Sequence, residues 1–273
     1  METLKLNNGV EIPSIGLGVW KMDDATLAYK AIRFALDLGY RHIDTAMIYK
    51  NEEVVGKAIK DSGIAREEIF LTTKLWNDDQ RSGKVTEAIN ASLKRLNTEY
   101  VDLYLVHWPV KETYISVWEK MEKVYQDGKT KAIGVSNYQP YHLDELLQKT
   151  EIVPSVNQIE CYPYLSQEAV ITYCKGKGIH PEAWGPLGAG KTDILTNPIM
   201  QGIAKNHNKS TAQVALRWNL QRGVIIIPKS VHENRLSENF SIADFSLTAE
   251  EMKQINRLDK NMRLGPHPDN FDF

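Results

Sequence analysis

Short apolar runs alternate with longer stretches of helical periodicity along most of this chain. The runs fall at residues 14–18, 41–44, 69–74, 101–107, 131–136, 155–160, 179–184 and 224–228. Most are rich in Val, Ile or Leu without clean polar alternation, the pattern of parallel strands covered on both faces. Between them, residues 26–38 place Leu27, Ala31, Phe34, Ala35 and Leu38 on one stripe, and residues 85–96 do the same with Ala88, Ile89, Leu93 and Leu96. Further helices are predicted at 115–125, 141–147, 167–177, 212–221 and 250–258, with Gly39, Gly128 and Gly178 just past three of the ends. The chain opens on a hairpin: residues 4–6 and 10–12 flank Asn7-Asn8-Gly9, and Asn-Gly supplies the positive φ of a tight turn.

Alternating strand and helix patterns imply a parallel sheet, either an open doubly wound one or a closed (β/α)8 barrel. Eight runs in 273 residues favour the α/β TIM barrel, capped by the hairpin and followed by an extra C-terminal helix and tail. No linker or composition shift divides the chain, so residues 1–273 are expected to be a single domain. A net charge of −2 gives no electrostatic argument for nucleic acid or a membrane surface as a partner. The first ten residues lack the apolar core of a signal peptide, and no stretch approaches the length of a membrane span. Cys161 and Cys174 stand in no metal or redox spacing, which makes a reducing cytoplasm the expected compartment.

In such a barrel the chemistry gathers where the strands end. The polar residues there are Asp44, Lys74, His107, Ser136-Asn137, Gln158 with Glu160, Trp184, and Lys229-Ser230. Asp44 and Lys74 can pair, and Tyr49 lies on the loop after Asp44. An ammonium beside a phenol favours phenolate, so the Tyr49 hydroxyl is expected to shift from its ordinary value toward neutrality, where it serves as a general acid. His107 adds a donor that orients a carbonyl oxygen. The set is suited to protonating an oxygen while a hydride arrives at carbon, and a hydride must come from a cofactor.

These residues are recognisable together. Residues 39–49 (GYRHIDTAMIY), the strand ending in Lys74, residues 103–109 (LYLVHWP), 134–137 (GVSN) and 227–230 (IPKS) strongly resemble the aldo-keto reductases. The similarity covers nearly the whole chain and is nearest the bacterial and protist branch with 2,5-diketo-gluconate reductases and prostaglandin F synthase-like enzymes. The resemblance implies a monomeric enzyme that reduces small-molecule carbonyls with NADPH, without a Rossmann domain. It makes Tyr49 the general acid, Lys74 and Asp44 its tuning pair, and His107 the carbonyl-orienting group. It implies that Ser136, Asn137 and Gln158 hold the nicotinamide carboxamide and that Trp184 stacks on the ring. Lys229, Ser230 and Arg235 would then take the 2′-phosphate, with Glu238 and Asn239 near the adenine and Leu187 and Val231 completing the cofactor cleft. Two cations beside a dianion favour NADP over NAD.

Trp20, Trp76 and Trp108 follow three of the strands and are expected to line an apolar substrate pocket over Tyr49 and His107, with Phe271 and Phe273 closing it. Trp118 and Trp218 belong to helix stripes and are expected in the core. The sequence departs from the common family pattern at Gly185, at Cys161-Tyr162 and at Pro181, whose missing N–H is expected to remove a ladder bond. Three rival readings exist. Residues 185–192 (GPLGAGKT) match the P-loop pattern of a nucleotide triphosphatase, although Asn197-Pro198 cuts short the helix that motif needs. His42-Ile43-Asp44 resembles a metal-ligand pair of a hydrolase, without further histidines in ligand spacing. A cofactor-binding sensor without turnover is disfavoured by the intact Asp44, Tyr49, Lys74 and His107.

Overall fold

The structure is a computed structural model that describes residues 2–271 and 273; Met1 and Asp272, included in the expected domain, lie outside the described residues. Strands β1 (Thr3–Lys5) and β2 (Glu11–Pro13) form the opening antiparallel hairpin. Eight further strands follow: β3 (Leu17–Gly18), β4 (His42–Asp44), β5 (Phe70–Leu75), β6 (Leu103–Val106), β7 (Ile133–Ser136), β8 (Val156–Glu160), β9 (His180–Trp184) and β10 (Ile225–Ile226). They pair in sequence order, every pair parallel. A parallel bridge between Ile15 and Ile226 joins first to last, with Gly16 N donating to Ile226 O at 2.8 Å and Ile226 N to Ser14 O at 3.0 Å. The predicted (β/α)8 architecture is the observed one.

The seam explains Gly16 and Gly18. A Cβ on Gly16 would lie 2.6 Å from His42 Nδ1, and one on Gly18 would lie 2.7 Å from Ile227 O. Only hydrogen fits where the closing strands meet. The end strands are correspondingly shorter than their apolar runs, two paired residues each. Pro181 does not remove a ladder bond as expected. The β9–β10 ladder begins at the Glu182–Ile225 pair, so the missing N–H falls beside the unpaired start of the strand.

The helices are α1 (Ala25–Leu38), α2 (Glu52–Ser62), α3 (Asn77–Arg81), α4 (Val85–Leu96), α5 (Tyr114–Gln126), α6 (Pro140–Lys149), α7 (Glu168–Gly176), α8 (Pro198–His207), α9 (Thr211–Gln221), α10 (Glu233–Phe240) and α11 (Ala249–Asn256). Asp24 starts α1 by accepting from Thr26 N and Leu27 N, and Gly39 ends it at φ 114°. The buried face of α1 is Ala28, Ala31, Ile32, Ala35 and Leu36, turned from the expected stripe so that Leu27 is exposed. The α4 stripe is buried as predicted, as are Trp118 and Trp218.

The hairpin plugs the N-terminal end of the barrel. Leu6 and Ile12 are buried with Phe70, Leu103, Leu105, Val156 and Ile225. Asn7 and Asn8 tie the turn to the segments entering β7 and β8, through Pro154 O (3.1 Å) and Lys131 O (2.9 Å). The opposite, C-terminal end is left for the polar side chains.

Candidate active site

Asp44 ends β4 and is buried, with Lys74 beside it on β5. The Lys74 ammonium donates to Asp44 Oδ1 (2.5 Å) and to Thr45 O (2.9 Å), and reaches Tyr49 Oη at 3.5 Å. A 3₁₀ turn, Met47–Tyr49, carries the phenol, and Asn51 fixes its loop. Thr45 Oγ1 donates to Asn51 Oδ1 (2.7 Å), while Asn51 Nδ2 donates to Val19 O (2.9 Å). His107, just past β6, meets Tyr49 edge-on with ring centroids 5.8 Å apart.

The electrostatics correct one expectation. Burial raises the Tyr49 hydroxyl above its ordinary value and outweighs the lowering effect of the Lys74 charge. The group is therefore a neutral phenol that carries its proton. Burial pulls Lys74 down, but the Asp44 carboxylate leads the groups that lift it, and the net shift is upward. Burial also raises Asp44 despite Lys74. His107 is held well below its ordinary value by burial and then by the Lys74 charge, so its imidazole is neutral at physiological pH.

The ends of β6 to β9 are laced together. Ser136 Oγ donates to Gln158 O (2.9 Å), and Asn137 Nδ2 donates to His107 O (3.1 Å) and Ser136 Oγ (3.1 Å). Trp184 Nε1 donates to Asn137 Oδ1 (2.9 Å), which sets the indole plane. Gln158 Nε2 donates to Asp44 Oδ2 (2.8 Å) and to Glu182 Oε1 (2.5 Å). Asp44, Tyr49, Lys74, His107, Ser136, Asn137, Gln158 and Trp184 thus meet at one mouth, as read from the strand ends. Glu182, buried in mid-strand, escaped that reading.

The aromatic wall also assembles. Trp76 meets His107 edge-on at 5.2 Å and stacks on Phe273 with an interplanar angle of 7°, while Trp108 contacts Phe271 and Phe273. Trp20, exposed, borders an open cleft of about 870 Å³ that it shares with Tyr49, Lys21, Lys50 and Val54. Past β10, Lys229 and Arg235 are exposed cations, and neither joins an ion pair among the described residues. Ser230 closes a turn by accepting from His232 N (3.1 Å) at the start of α10. Val231 and Glu238 are half-buried and Asn239 is buried. Leu187, half-buried, lies in a loop where Gly185, Gly188, Ala189 and Gly190 all have positive φ.

These residues fit a dinucleotide. Both N–H groups of Gln158 are taken, and no donor among the described residues reaches its carbonyl oxygen, which stays free for an amide N–H. A Cβ on Gly185 would meet nothing within 4 Å, so the chain there leaves room for a ligand beside Trp184. The unpaired cations of Lys229 and Arg235 suit a phosphate. The P-loop alternative fails on geometry: Lys191-Thr192 follow an isolated 3₁₀ turn, and the next α-helix starts only at Pro198. His42 and Asp44 do share the inward face, but no metal-holding cluster of His, Cys, Asp or Glu occurs among the described residues.

Residues 14–260 match the aldo/keto reductase family model. The chain belongs to the aldo-keto reductase family. It is 52% identical over 272 residues to a glyoxal reductase of Bacillus subtilis (strain 168), covering 100% of this chain and 98% of that protein. It is 48% identical over 267 residues to a 9,11-endoperoxide prostaglandin H2 reductase of Trypanosoma cruzi (strain CL Brener), covering 97% and 94%. Among solved structures, a Bombyx mori aldo-keto reductase in complex with NADP superposes with a TM-score of 0.93 at 35% identity, covering 98% of this chain and 96% of that one. This aldo-keto reductase is an oxidoreductase of small-molecule carbonyls, and members of its family use NAD(P)H. No helix among the described residues is long and apolar enough to cross a membrane.

Proposed function

We propose that this aldo-keto reductase reduces small aldehydes and ketones with NADPH, glyoxal-type dicarbonyls among them, and that Tyr49 is the general acid. The observation that carries this is the buried Lys74 ammonium held between the Asp44 carboxylate and the Tyr49 hydroxyl. When bound, a reduced nicotinamide supplies the hydride that no side chain can. Tyr49 gives its proton to the carbonyl oxygen, and Lys74 stabilises the phenolate left behind. Asp44 keeps Lys74 charged and in place. The neutral His107 imidazole donates a hydrogen bond that orients the carbonyl, and Trp20, Trp76 and Trp108 exclude water around it. Gln158, with Ser136 and Asn137 bracing the strand ends, presents an acceptor to the carboxamide. Trp184 offers its face to the ring, and Leu187 and the glycine-rich loop pass over the pyrophosphate. Lys229, Ser230 and Arg235 take the 2′-phosphate, with Val231, Glu238 and Asn239 around the adenosine. The NADP-bound structural neighbour and the glyoxal reductase relative support the choice of cofactor and substrate. A monomeric, single-domain cytoplasmic protein is the working form that the family resemblance and cysteine usage imply.

Tyr49→Phe tests the assignment. Glyoxal-dependent oxidation of NADPH should fall at least about 100-fold, the scale of a lost general acid, while NADPH still quenches protein fluorescence with the native dissociation constant. Native turnover in that variant would remove Tyr49 from the reaction.

A further inference from the structure

Glu182 lies inside the barrel on β9, with no solvent exposure, two residues before Trp184. Its Oε1 accepts from Gln158 Nε2, and its Oε2 is buried without a partner. The same Gln158 nitrogen donates to Asp44, whose other oxygen holds Lys74. One amide NH₂ thus bridges two carboxyls. A primary amide has two hydrogens, and both are used. Turning the Gln158 side chain over would place its carbonyl oxygen against the Asp44 carboxylate.

We propose that Glu182 is a positioning residue for carbonyl reduction: by taking the second N–H of Gln158 it keeps that carbonyl directed at the cofactor amide, and it places a second carboxyl behind the Asp44–Lys74–Tyr49 line. This rests on the NADPH-dependent reduction proposed above. The charged groups that act on Glu182 inside the barrel are Asp44 of β4 and Lys74 of β5, while β8 offers the uncharged Gln158 and β10 the apolar Ile225. Asp44 and Lys74 already neutralise one another, so an ionised Glu182 has no cation of its own. Burial, and then the charge of Asp44, pushes its carboxyl up to about 8. Below that value the carboxyl is neutral. Above it a negative charge enters the barrel, Lys74 holds its proton more tightly, and Tyr49 becomes the weaker acid. Reduction by the native enzyme then declines as pH rises through this range.

Two variants separate positioning from a merely structural role. Glu182→Leu removes the acceptor and frees the Gln158 amide. Its NADPH dissociation constant, read by fluorescence quenching without turnover, should rise about tenfold, the scale of one lost hydrogen bond to a buried polar group. Glu182→Gln keeps an acceptor and the volume but cannot ionise. It should rescue NADPH binding relative to the leucine variant and move the alkaline decline of kcat for glyoxal reduction upward by about one pH unit or more. If native protein reduces glyoxal with NADPH while both variants share its dissociation constant and its pH profile, Glu182 has no positioning role and the proposed reaction stands. Should the leucine variant fail to fold, the alkaline limb of Glu182→Gln decides alone. If native protein neither binds nor oxidises NADPH, the reaction proposed above falls and the role of Glu182 falls with it.

Discussion

Lys74 is a fully buried cation, and it survives because every hydrogen-bond partner it needs is within reach. Asp44 neutralises it, Thr45 O accepts a second N–H, and the Tyr49 hydroxyl lies at the third. Lys229 presents the opposite case, a cation in solvent with no acidic partner among the described residues. Its substitution should cost the structure little and the cofactor much. Lys229→Ala is expected to raise the NADPH dissociation constant about tenfold or more, as for a lost charge-assisted contact, while that for NADH changes little. Parallel titrations with both cofactors check it; equal weakening would detach Lys229 from the 2′-phosphate. The difference between these residues also shows what sequence could reveal. Asp44, Lys74, His107, Ser136 and Trp184 each end a run of apolar residues, where a polar group is conspicuous, and Gln158 was read only together with Glu160, which ends its run. Glu182 interrupts such a run. The one signal for it was a carboxylate two positions before Trp184 in an otherwise buried strand, which alternation turns inward with its neighbour. The upward shift of Tyr49 was illegible because it depends on how much protein surrounds the phenol, which spacing does not encode.

Elements differ in how openly they announce themselves. The strands were legible because both their faces are covered, whereas α2 was not, since it begins with two glutamates and carries Gly56 in mid-helix. That glycine is a packing requirement: a Cβ there would lie 2.3 Å from Leu96 O at the end of α4. Helix α8 was hidden by Pro198, which reads as a breaker but stands at the first turn behind the Asn197 cap, where no N–H is needed. Helix α11 shows how an end is fastened. Thr248 Oγ1 accepts from Glu251 N, Glu251 Oε2 accepts from Thr248 N at 2.8 Å, and His207 of α8 reaches the same carboxylate at 3.0 Å. Burial alone would raise Glu251, but His207 and Thr248 lower it overall. A carboxyl depressed by folding contributes stability that is present above its ordinary pKa and lost as pH falls through the depressed value. Glu251→Ala should therefore lower the thermal midpoint by about 2–4 °C at pH 7, the scale of roughly 1 kcal/mol in a domain of this class. The gap to the native protein should close in strongly acidic buffer. An undiminished gap there would mean that the carboxylate charge is not what fastens the helix.

At the scale of the whole molecule, stability and chemistry occupy opposite ends of the barrel. The hairpin residues Leu6 and Ile12 seal the N-terminal end, and the side chains proposed to be catalytic crowd the other. Ile12→Ala is expected to lower unfolding free energy by about 2–5 kcal/mol, the usual effect of truncating a fully buried isoleucine. At temperatures where the variant stays folded, kcat/KM for glyoxal should remain native. Denaturant melts paired with the activity assay test both halves, and a drop in kcat/KM without unfolding would show that the two ends communicate. One fastening crosses from structure to specificity. The Glu160 carboxylate closes β8 by accepting from Leu264 N at 2.7 Å and Gly265 N at 3.2 Å, and a side chain at 265 would strike the Trp184 indole. The segment leading to Phe271 and Phe273 is thereby stapled two positions from Gln158. A tail grafted from another family member would carry its own aromatic residues, yet it would seat only if it also brought a small residue to lie on Trp184 and two free amides for Glu160.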